Sequence, residues 1–424
     1  MKKAFVNGKV VTPKGIVKGS LVIEDGKISG VVSGKAKADY IEDVKGAYLL
    51  PGFFDTHLHG GGGYSSSQGR YDAKLKVFVG KEEEYPENFQ QILKTHARHG
   101  TTSMILSTAT DSEENINKFM KAGCEVINNY SNGARLLGLD IEGVFIKDTA
   151  YSGAQEPRYF RKPDVKYFDR IMKLSGWNIK RTLVAPEWGA PAVNFVKHLV
   201  RNGVVPGVGH SGASYADFMK AYDAGVKVII HCGNGPMSQN FKGGGVLDAL
   251  FHLRGKICAE LICDYHHLNP VWVSSFLKNF NFNVLGVTDS MFVLGRDDIK
   301  EFGKAGNTAV VKKDIILMKH KANCLCGSKL SMDRAFQNFL NIFMKNLTGY
   351  LTGPLFAKPI KFDKALIEVS KLLSLNPAKL YGFDKEIGTL EKGKRADVVI
   401  MQIKKTGSDY KCTVKKVIAN GKAI

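Results

Sequence analysis

Histidines and carboxylates stand where apolar runs end, and their types suit one chemistry. The run ending near residue 54 leads into Asp55-Thr56-His57-Leu58-His59, and later runs lead into Glu142, His210, His231, Asp264 with His267, and Asp289. A single histidine in such a place is more often packed or hydrogen-bonded than a ligand. Imidazoles and carboxylates converging from several run ends are different, because together they make the N/O donor set that suits Zn²⁺ or Fe²⁺. His57 and His59 add a pair on one side, since residues i and i+2 of an extended segment face the same way. A divalent cation in such a cradle brings the pKa of water towards ~7, so an amide carbon can be attacked at neutral pH. A carboxylate must then take the water's proton and pass it to the departing amine. Asp289, alone after the last apolar run, is the candidate; the other reading is a structural carboxylate capping a helix or pairing with a lysine.

Positioning these side chains requires a repeating scaffold. Strand-like apolar runs occur at 48–54, 103–108, 135–141, 181–186, 204–209, 226–231, 257–263 and 283–288, mostly separated by amphipathic segments. Eight βα units predict an α/β fold, a (β/α)8 TIM-type barrel, whose active residues lie just past the C-terminal ends of the strands. Phe89, Ile92, Leu93 and His96 recur at helical spacing, as do Phe195, His198 and Leu199, and Phe218, Ala221 and Tyr222. Gly100, Gly203 and Gly225 punctuate the helix ends. After the eighth run the spacing predicts an irregular excursion over about 291–330, of the kind that covers a site, then helices near 331–347 and 363–374. The termini read differently: β-branched runs broken by Asn7-Gly8, Asp25-Gly26 and Ser33-Gly34 predict hairpins, and Val398-Val399-Ile400-Met401 and Asn420-Gly421 repeat the signal at the far end. Residues 1–50 and 385–424 are therefore expected to pair into a small β-sandwich domain beside a barrel over 51–384.

Composition removes several classes. The hydrophobic fraction of 44% and charged fraction of 24% are those of an ordinary soluble protein. No apolar run approaches the ~20 residues that span a bilayer, so membrane insertion is not expected. The opening Met1-Lys2-Lys3 is not followed by the apolar stretch of a secretory signal. Seven scattered cysteines without a CxxC pair fit a reducing cytoplasm. The formal net charge of +20 comes from a chain in which Lys outnumbers Arg about fourfold and is spread throughout, which reads as a solvated surface rather than a nucleic-acid site. Such a charge also draws in anionic small molecules.

The motifs carry a family resemblance along nearly the whole chain. Pro51-Gly52-Phe53-Phe54-Asp55-Thr56-His57-Leu58-His59 followed by Gly60 to Gly63 resembles the first-strand signature of the amidohydrolase superfamily, in the glycine-rich form of N-acetylglucosamine-6-phosphate deacetylases. His99-Gly100-Thr101-Thr102, Leu139-Asp140-Ile141-Glu142-Gly143, Ala185-Pro186-Glu187, Gly209-His210-Ser211, His231 with Asn234, Val287-Thr288-Asp289, Ser331-Met332-Asp333-Arg334-Ala335 and Asn376-Pro377-Ala378 follow in register. The resemblance implies that Glu142, His210 and His231 hold a catalytic metal and that Asp289 is general base and acid. It implies a second metal on His57 and His59, although members lacking that pair use one ion, so one or two ions remain open. It further implies that Asn234 and the Gly235 amide meet the phosphate, that His267 contacts the sugar phosphate, that Ala154, Leu325, Cys326 and Gly327 line the sugar pocket, and that the protein is a homodimer.

Two departures bear on the substrate. Where the family has a histidine that polarises the acetyl carbonyl, this chain has Gln155, which can donate a hydrogen bond but cannot become cationic. Lys242 stands in place of a phosphate-binding arginine that in the family reaches across a dimer interface; it is either a point-charge phosphate ligand or a solvated loop lysine. The stretch between Gly60 and Asn88, with Lys81-Glu82-Glu83-Glu84, reads as a surface insertion. Three functions follow: deacetylation of N-acetyl-D-glucosamine 6-phosphate or of another N-acetylated sugar phosphate such as the galactosamine isomer, the reaction of a different metal-dependent amidohydrolase such as a cyclic-amide hydrolase or a deaminase, or a barrel kept as a non-catalytic scaffold.

Overall fold

The computed structural model describes residues 1–129, 133–235, 237–281, 283–304, 306–344 and 360–424. Eight parallel strands, Phe53–Asp55, Thr101–Ser107, Arg135–Ile141, Ile179–Leu183, Val205–Val208, Val228–Ile229, Cys258–Ile262 and Val284–Val287, pair in chain order. The ring closes where Leu58 bridges Ser290 and Asp289 N–H donates to the His57 carbonyl at 2.8 Å. Each strand is followed by a helix: Tyr85–Ala97, Glu113–Asn128, Val165–Leu174, Ala190–Arg201, Tyr215–Ala224, Val246–Leu253, Pro270–Asn279 and Met332–Met344. This is the (β/α)8 barrel. The fourth strand begins and ends earlier than the apolar run 181–186 suggests, because Ala185 and Pro186 turn into a short 3-10 helix.

Local chemistry explains the helices. Ser112, Asp164, Ser214 and Asn269 accept backbone N–H bonds in the first turn of their helices, satisfying donors that have no intrahelical partner. Phe89, Ile92, Leu93 and His96 are buried as their spacing predicts, and so are Phe195, Leu199, Phe218 and Ala221. His198 instead faces outward enough to pair with Asp169 at 2.6 Å. The helix expected over 331–347 runs from Met332 to Met344, and the remainder of that expectation lies outside the described residues. The helix near 363–374 is α over Phe362–Ser370 and then widens to a π turn over Lys371–Leu375.

The terminal segments share one sandwich-like eight-stranded sheet. Lys2–Thr12, Gly15–Glu24, Lys27–Ser33, Tyr40–Asp43 and Tyr48–Pro51 join Val398–Thr406, Asp409–Ala419 and Lys422–Ala423. Alternation divides its two faces: Val10, Leu49, Val398 and Ile400 enter a local core with Phe5 and Leu21, whereas Val11, Leu50, Val399 and Met401 join the main core. Asp25-Gly26 and Asn420-Gly421 adopt paired positive φ angles, 48° and 75° in one and 51° and 74° in the other, as tight hairpins require. The other two expected turns differ. Asn7-Gly8 lies inside one long strand, beside a register shift, and Ser33-Gly34 leads to a strand that pairs in parallel with Lys3–Val6. The run 48–54 is split between the terminal sheet and the barrel at Gly52, where an added Cβ would come within 2.1 Å of Thr102 Oγ1.

Two stretches are more ordered than their sequences suggest. The 60–88 stretch forms a four-stranded antiparallel sheet over Gly60–Gly61, Tyr64–Ser65, Gly69–Asp72 and Val77–Val79. The excursion after the eighth strand contains a three-stranded sheet, Glu301–Lys304, Asn307–Val311 and Ile316–Met318. They stabilise each other: Tyr71, only 2% exposed, and Phe78 pack on Phe292, which stacks edge-on against Phe302. No helix among the described residues is long and apolar enough to cross a membrane, and all seven cysteines are free thiols.

Candidate active site

At the C-terminal mouth of the barrel the strand ends deliver five polar side chains to one point. His57 and Glu142 sit on the continuations of the first and third strands, on the inward parity that also carries Asp140. His210, His231 and Asp289 leave their strands with φ of 48°, 33° and 50°, left-handed values that turn each side chain toward the axis. Non-glycine residues hold that conformation only where surrounding structure enforces it, and such strain clusters at functional sites.

Two donor groups share Glu142. In the first, His210 Nδ1–H donates to the Tyr151 carbonyl at 3.0 Å and His231 Nδ1–H to the Asn234 carbonyl at 3.2 Å. In the neutral imidazole each Nε2 then presents a lone pair. The two Nε2 atoms lie 3.1 Å apart and each 3.3 Å from Glu142 Oε1, so with neutral rings three acceptors meet. That arrangement fits a divalent cation and little else. Burial lowers the His231 pKa, which keeps the ring neutral. In the second group, His57 and His59 approach Glu142 Oε2 at 2.8 and 3.1 Å, and His59 reaches Asp289 Oδ1 at 3.1 Å. All three atoms of either His–Glu group lie close enough to hold one ion.

The carboxylates are kept ionised. Burial opposes the charge on Glu142, but the imidazoles around it outweigh burial and hold its pKa well below the usual range. Burial also opposes the charge on Asp289, and the His59 hydrogen bond with the His57 and His59 charges brings its pKa down to about 2.

A cavity of about 330 Å³ opens above this floor. Ala154, Gln155, Asn234, Gly235, His267, Leu325, Cys326 and Gly327 line it, together with His59, Glu142, His210, His231 and Asp289. His57 lies beneath, fully buried. Gly235 has φ of 52°, and an added Cβ would come within 2.9 Å of both His210 and His231 rings. Gln155 does not stand free: its Oε1 accepts from Thr110 N and Oγ1, and its Nε2 donates to Glu142 Oε1 at 3.1 Å. Lys242 does not line the cavity. Asn240 Oδ1 accepts the Lys242 N–H at 2.9 Å, closing a turn that carries Lys242 and Phe241 into solvent.

A buried support beneath the site escaped the motif reading. Glu260 accepts from His57 Nδ1 at 2.8 Å, and its other oxygen takes Arg181 Nη1. Arg181 also grips Asp140 through two bonds, of 2.9 and 2.7 Å. Arg181, Glu260 and Asp140 are each 0% exposed. Glu260 inside Cys258-Ala259-Glu260-Leu261-Ile262 and Arg181 at the head of an apolar run were the available signal, since a charge within a buried strand must have a partner.

A parallel barrel with imidazoles and a shared carboxylate at its mouth defines a metal-dependent hydrolase acting on an amide. The chain belongs to the amidohydrolase family, which it matches over residues 48–271 and 356–424. It is 27% identical over 401 residues to the N-acetylglucosamine-6-phosphate deacetylase of Bacillus subtilis (strain 168), covering 92% of this chain and 91% of that one. It is also 27% identical over 354 residues to the N-acetylgalactosamine-6-phosphate deacetylase of Escherichia coli O157:H7, covering 83% of each. A solved mutant N-acetyl-D-glucosamine-6-phosphate deacetylase from Mycobacterium smegmatis, in complex with N-acetyl-D-glucosamine-6-phosphate, superposes with a TM-score of 0.81 at 22% identity, over 100% of this chain and 98% of that one.

Proposed function

We propose that this protein hydrolyses the acetamide of N-acetyl-D-glucosamine 6-phosphate, consuming water and releasing acetate and D-glucosamine 6-phosphate. The observation that carries the reading is the meeting of the His210 and His231 Nε2 lone pairs with Glu142 Oε1, next to an ionised Asp289 that opens on the cavity. One or two divalent ions, zinc or iron, suit these donors; such an ion acidifies water and polarises an amide carbonyl. His210, His231 and Glu142 would hold one, and His57, His59 and Glu142 would hold a second where two bind. Asp289 takes the proton of the attacking water and returns it to the departing nitrogen. Gln155 orients Glu142 through the hydrogen bond that its Nε2 donates to that carboxylate. Asn234 Nδ2, buried without a hydrogen-bond partner among the described residues, supplies a donor for a substrate oxygen, with the Gly235 amide and His267 beside it.

The galactosamine isomer is the second reading, favoured by the matching relative that bears that activity. We further infer a homodimer, supported by Phe241, 91% exposed on the loop of Lys242; Lys242 would meet phosphate only by reaching a partner's cavity. The free thiols support a cytoplasmic location, and we divide the chain into a terminal β domain, 1–50 with 385–424, and a barrel, 51–384. The test is release of free amine from both N-acetylhexosamine 6-phosphates by metal-loaded protein. Turnover should vanish on chelation and in Asp289→Asn with its metal retained. No turnover of either compound by protein of full metal content sinks the proposal.

A further inference from the structure

Two lysines outside the resemblance face the same cavity. Among the described residues lining it, Lys304 and Lys321 carry the ammonium groups, and no arginine joins them. Both belong to the sheet that follows the eighth strand. Lys304 ends the strand Glu301–Lys304, where it pairs with Asn307. Lys321 lies in the turn after Ile316–Met318, closed by Met318 N–H to the Cys324 carbonyl at 2.9 Å and Cys324 N–H to the Lys321 carbonyl at 3.2 Å. That sheet is braced by the Phe292 and Tyr71 cluster, and the exposed turn at its end lines the cavity with Lys321.

Lys321 ties this excursion to the loop after the third barrel strand. Its Nζ donates to the Gly153 carbonyl at 2.7 Å and to Ser152 Oγ at 3.0 Å, on the loop that carries Ala154 and Gln155. Two of its three donors are engaged, leaving one for a ligand. The floor below carries Glu142 and Asp289, whose charge the proposed ions offset, and it takes the acetamide end of the substrate, so the 6-phosphate lies away from it. A phosphate monoester, with a charge of about −1.5 to −2 at pH 7, therefore needs compensating charge away from the floor. Lys321 brings its ammonium to the cavity wall and Lys304 lines the same cavity, while Lys242 lies on an exposed loop outside it.

We propose that Lys304 and Lys321 supply, from the same chain as the metal cradle, the positive charge that selects a phosphorylated sugar over its neutral counterpart. The assignment rests on the proposed function for the identity of the sugar. An ammonium is a point charge without a bidentate fork, so the pair reads phosphate charge and not the stereochemistry of the hexose ring.

Calorimetric titration of metal-loaded, full-length protein with glucosamine 6-phosphate and with glucosamine provides the test. The quantity read is the ratio of the two Kd values, because loss of the Lys321 tether to Gly153 weakens both probes alike and leaves the ratio unchanged. The ratio should fall about tenfold in Lys304→Ala and in Lys321→Ala, further in the double variant, and also in the wild type as salt is raised from about 50 to 200 mM. A double variant that keeps the ratio within about twofold of wild type overturns the inference. So does a Lys242→Ala variant that loses more selectivity than the double variant, or a wild type that prefers neither probe. Protein that shows the expected ratios but deacetylates no sugar phosphate supports the charge assignment and sinks the function.

Discussion

Glu260→Gln perturbs the support beneath the metal cradle while keeping its shape. In the native protein one Glu260 oxygen takes Arg181 Nη1–H, and the other takes His57 Nδ1–H at 2.8 Å and His231 N–H at 3.3 Å. Glutamine has one acceptor oxygen, so its NH2 must confront either the guanidinium or the His57 and His231 donors. Breaking a fully buried charge pair costs about 3–5 kcal/mol, and the two-pronged Asp140 contact left on Arg181 places the loss near the lower end, about 3 kcal/mol. At about 2.1 cal/mol/K of unfolding entropy per residue, a chain of 424 residues then melts about 3 °C lower. The same change releases the His57 tautomer that turns Nε2 toward Glu142, and losing such a support weakens metal binding about 10–100-fold. Denaturation of metal-free protein measures the first effect, and metal content after dialysis against graded chelator measures the second. Asp140→Asn is the control: it removes the other carboxylate on Arg181 but touches no histidine, so stability should fall with a much smaller change in metal retention. If Glu260→Gln retains metal as wild type does, and melts at the wild-type temperature, the positioning argument is wrong.

The buried pair Asp264 and His267, 2.7 Å apart, should make stability pH-dependent on both sides. Burial raises the Asp264 pKa, but the His267 hydrogen bond and charge outweigh it and depress the value; that stability is present above about pH 3.9 and is lost as pH falls through the depressed value. Burial lowers the His267 pKa, but Asp264 outweighs it and raises the value; that stability is present below about pH 6.5 and is lost as pH rises through the raised value. His267→Gln should therefore flatten the denaturation profile across that window by about 1–3 kcal/mol, and an unchanged profile would refute the pairing. Tyr71→Ala should cost about 3–5 kcal/mol by emptying the contact with Phe78 and Phe292, read in denaturant, and should loosen protease protection of residues 291–330. Phe241→Asp should leave chain folding intact and shift a dimer to monomer in sedimentation; an unaltered mass would remove that loop from the interface.

Much of the site was legible because metal chemistry restricts residue types. Histidine and carboxylate at the ends of recurring apolar runs have few other uses in combination, and strand parity already put His57 and His59 on one side. The barrel was legible for a related reason: buried parallel strands and amphipathic helices leave distinct periodicities in the chain. Turn chemistry was legible where both residues take positive φ, as at Asp25-Gly26 and Asn420-Gly421; Asn7-Gly8 repeats the letters of the second pair inside a strand, and pairing with Gly15–Glu24 decides that it lies beside a bulge.

What the sequence by itself determined was therefore the donor set, the scaffold and the chemistry. Tertiary structure alone decided the partners. Glu260 and Arg181 lie 79 residues apart, and neither spacing nor periodicity reports that their charges neutralise each other beneath His57. Lys304 and Lys321 resembled any of the scattered surface lysines until the sheet of 301–318 brought them to the cavity, whereas Lys242, which reads in the sequence as either a phosphate ligand or a solvated loop lysine, lies on an exposed loop outside this chain's own cavity. The reason is physical: ligand type is a property of single residues, while electrostatic environment is a sum over neighbours in space, and only the folded chain brings those neighbours together.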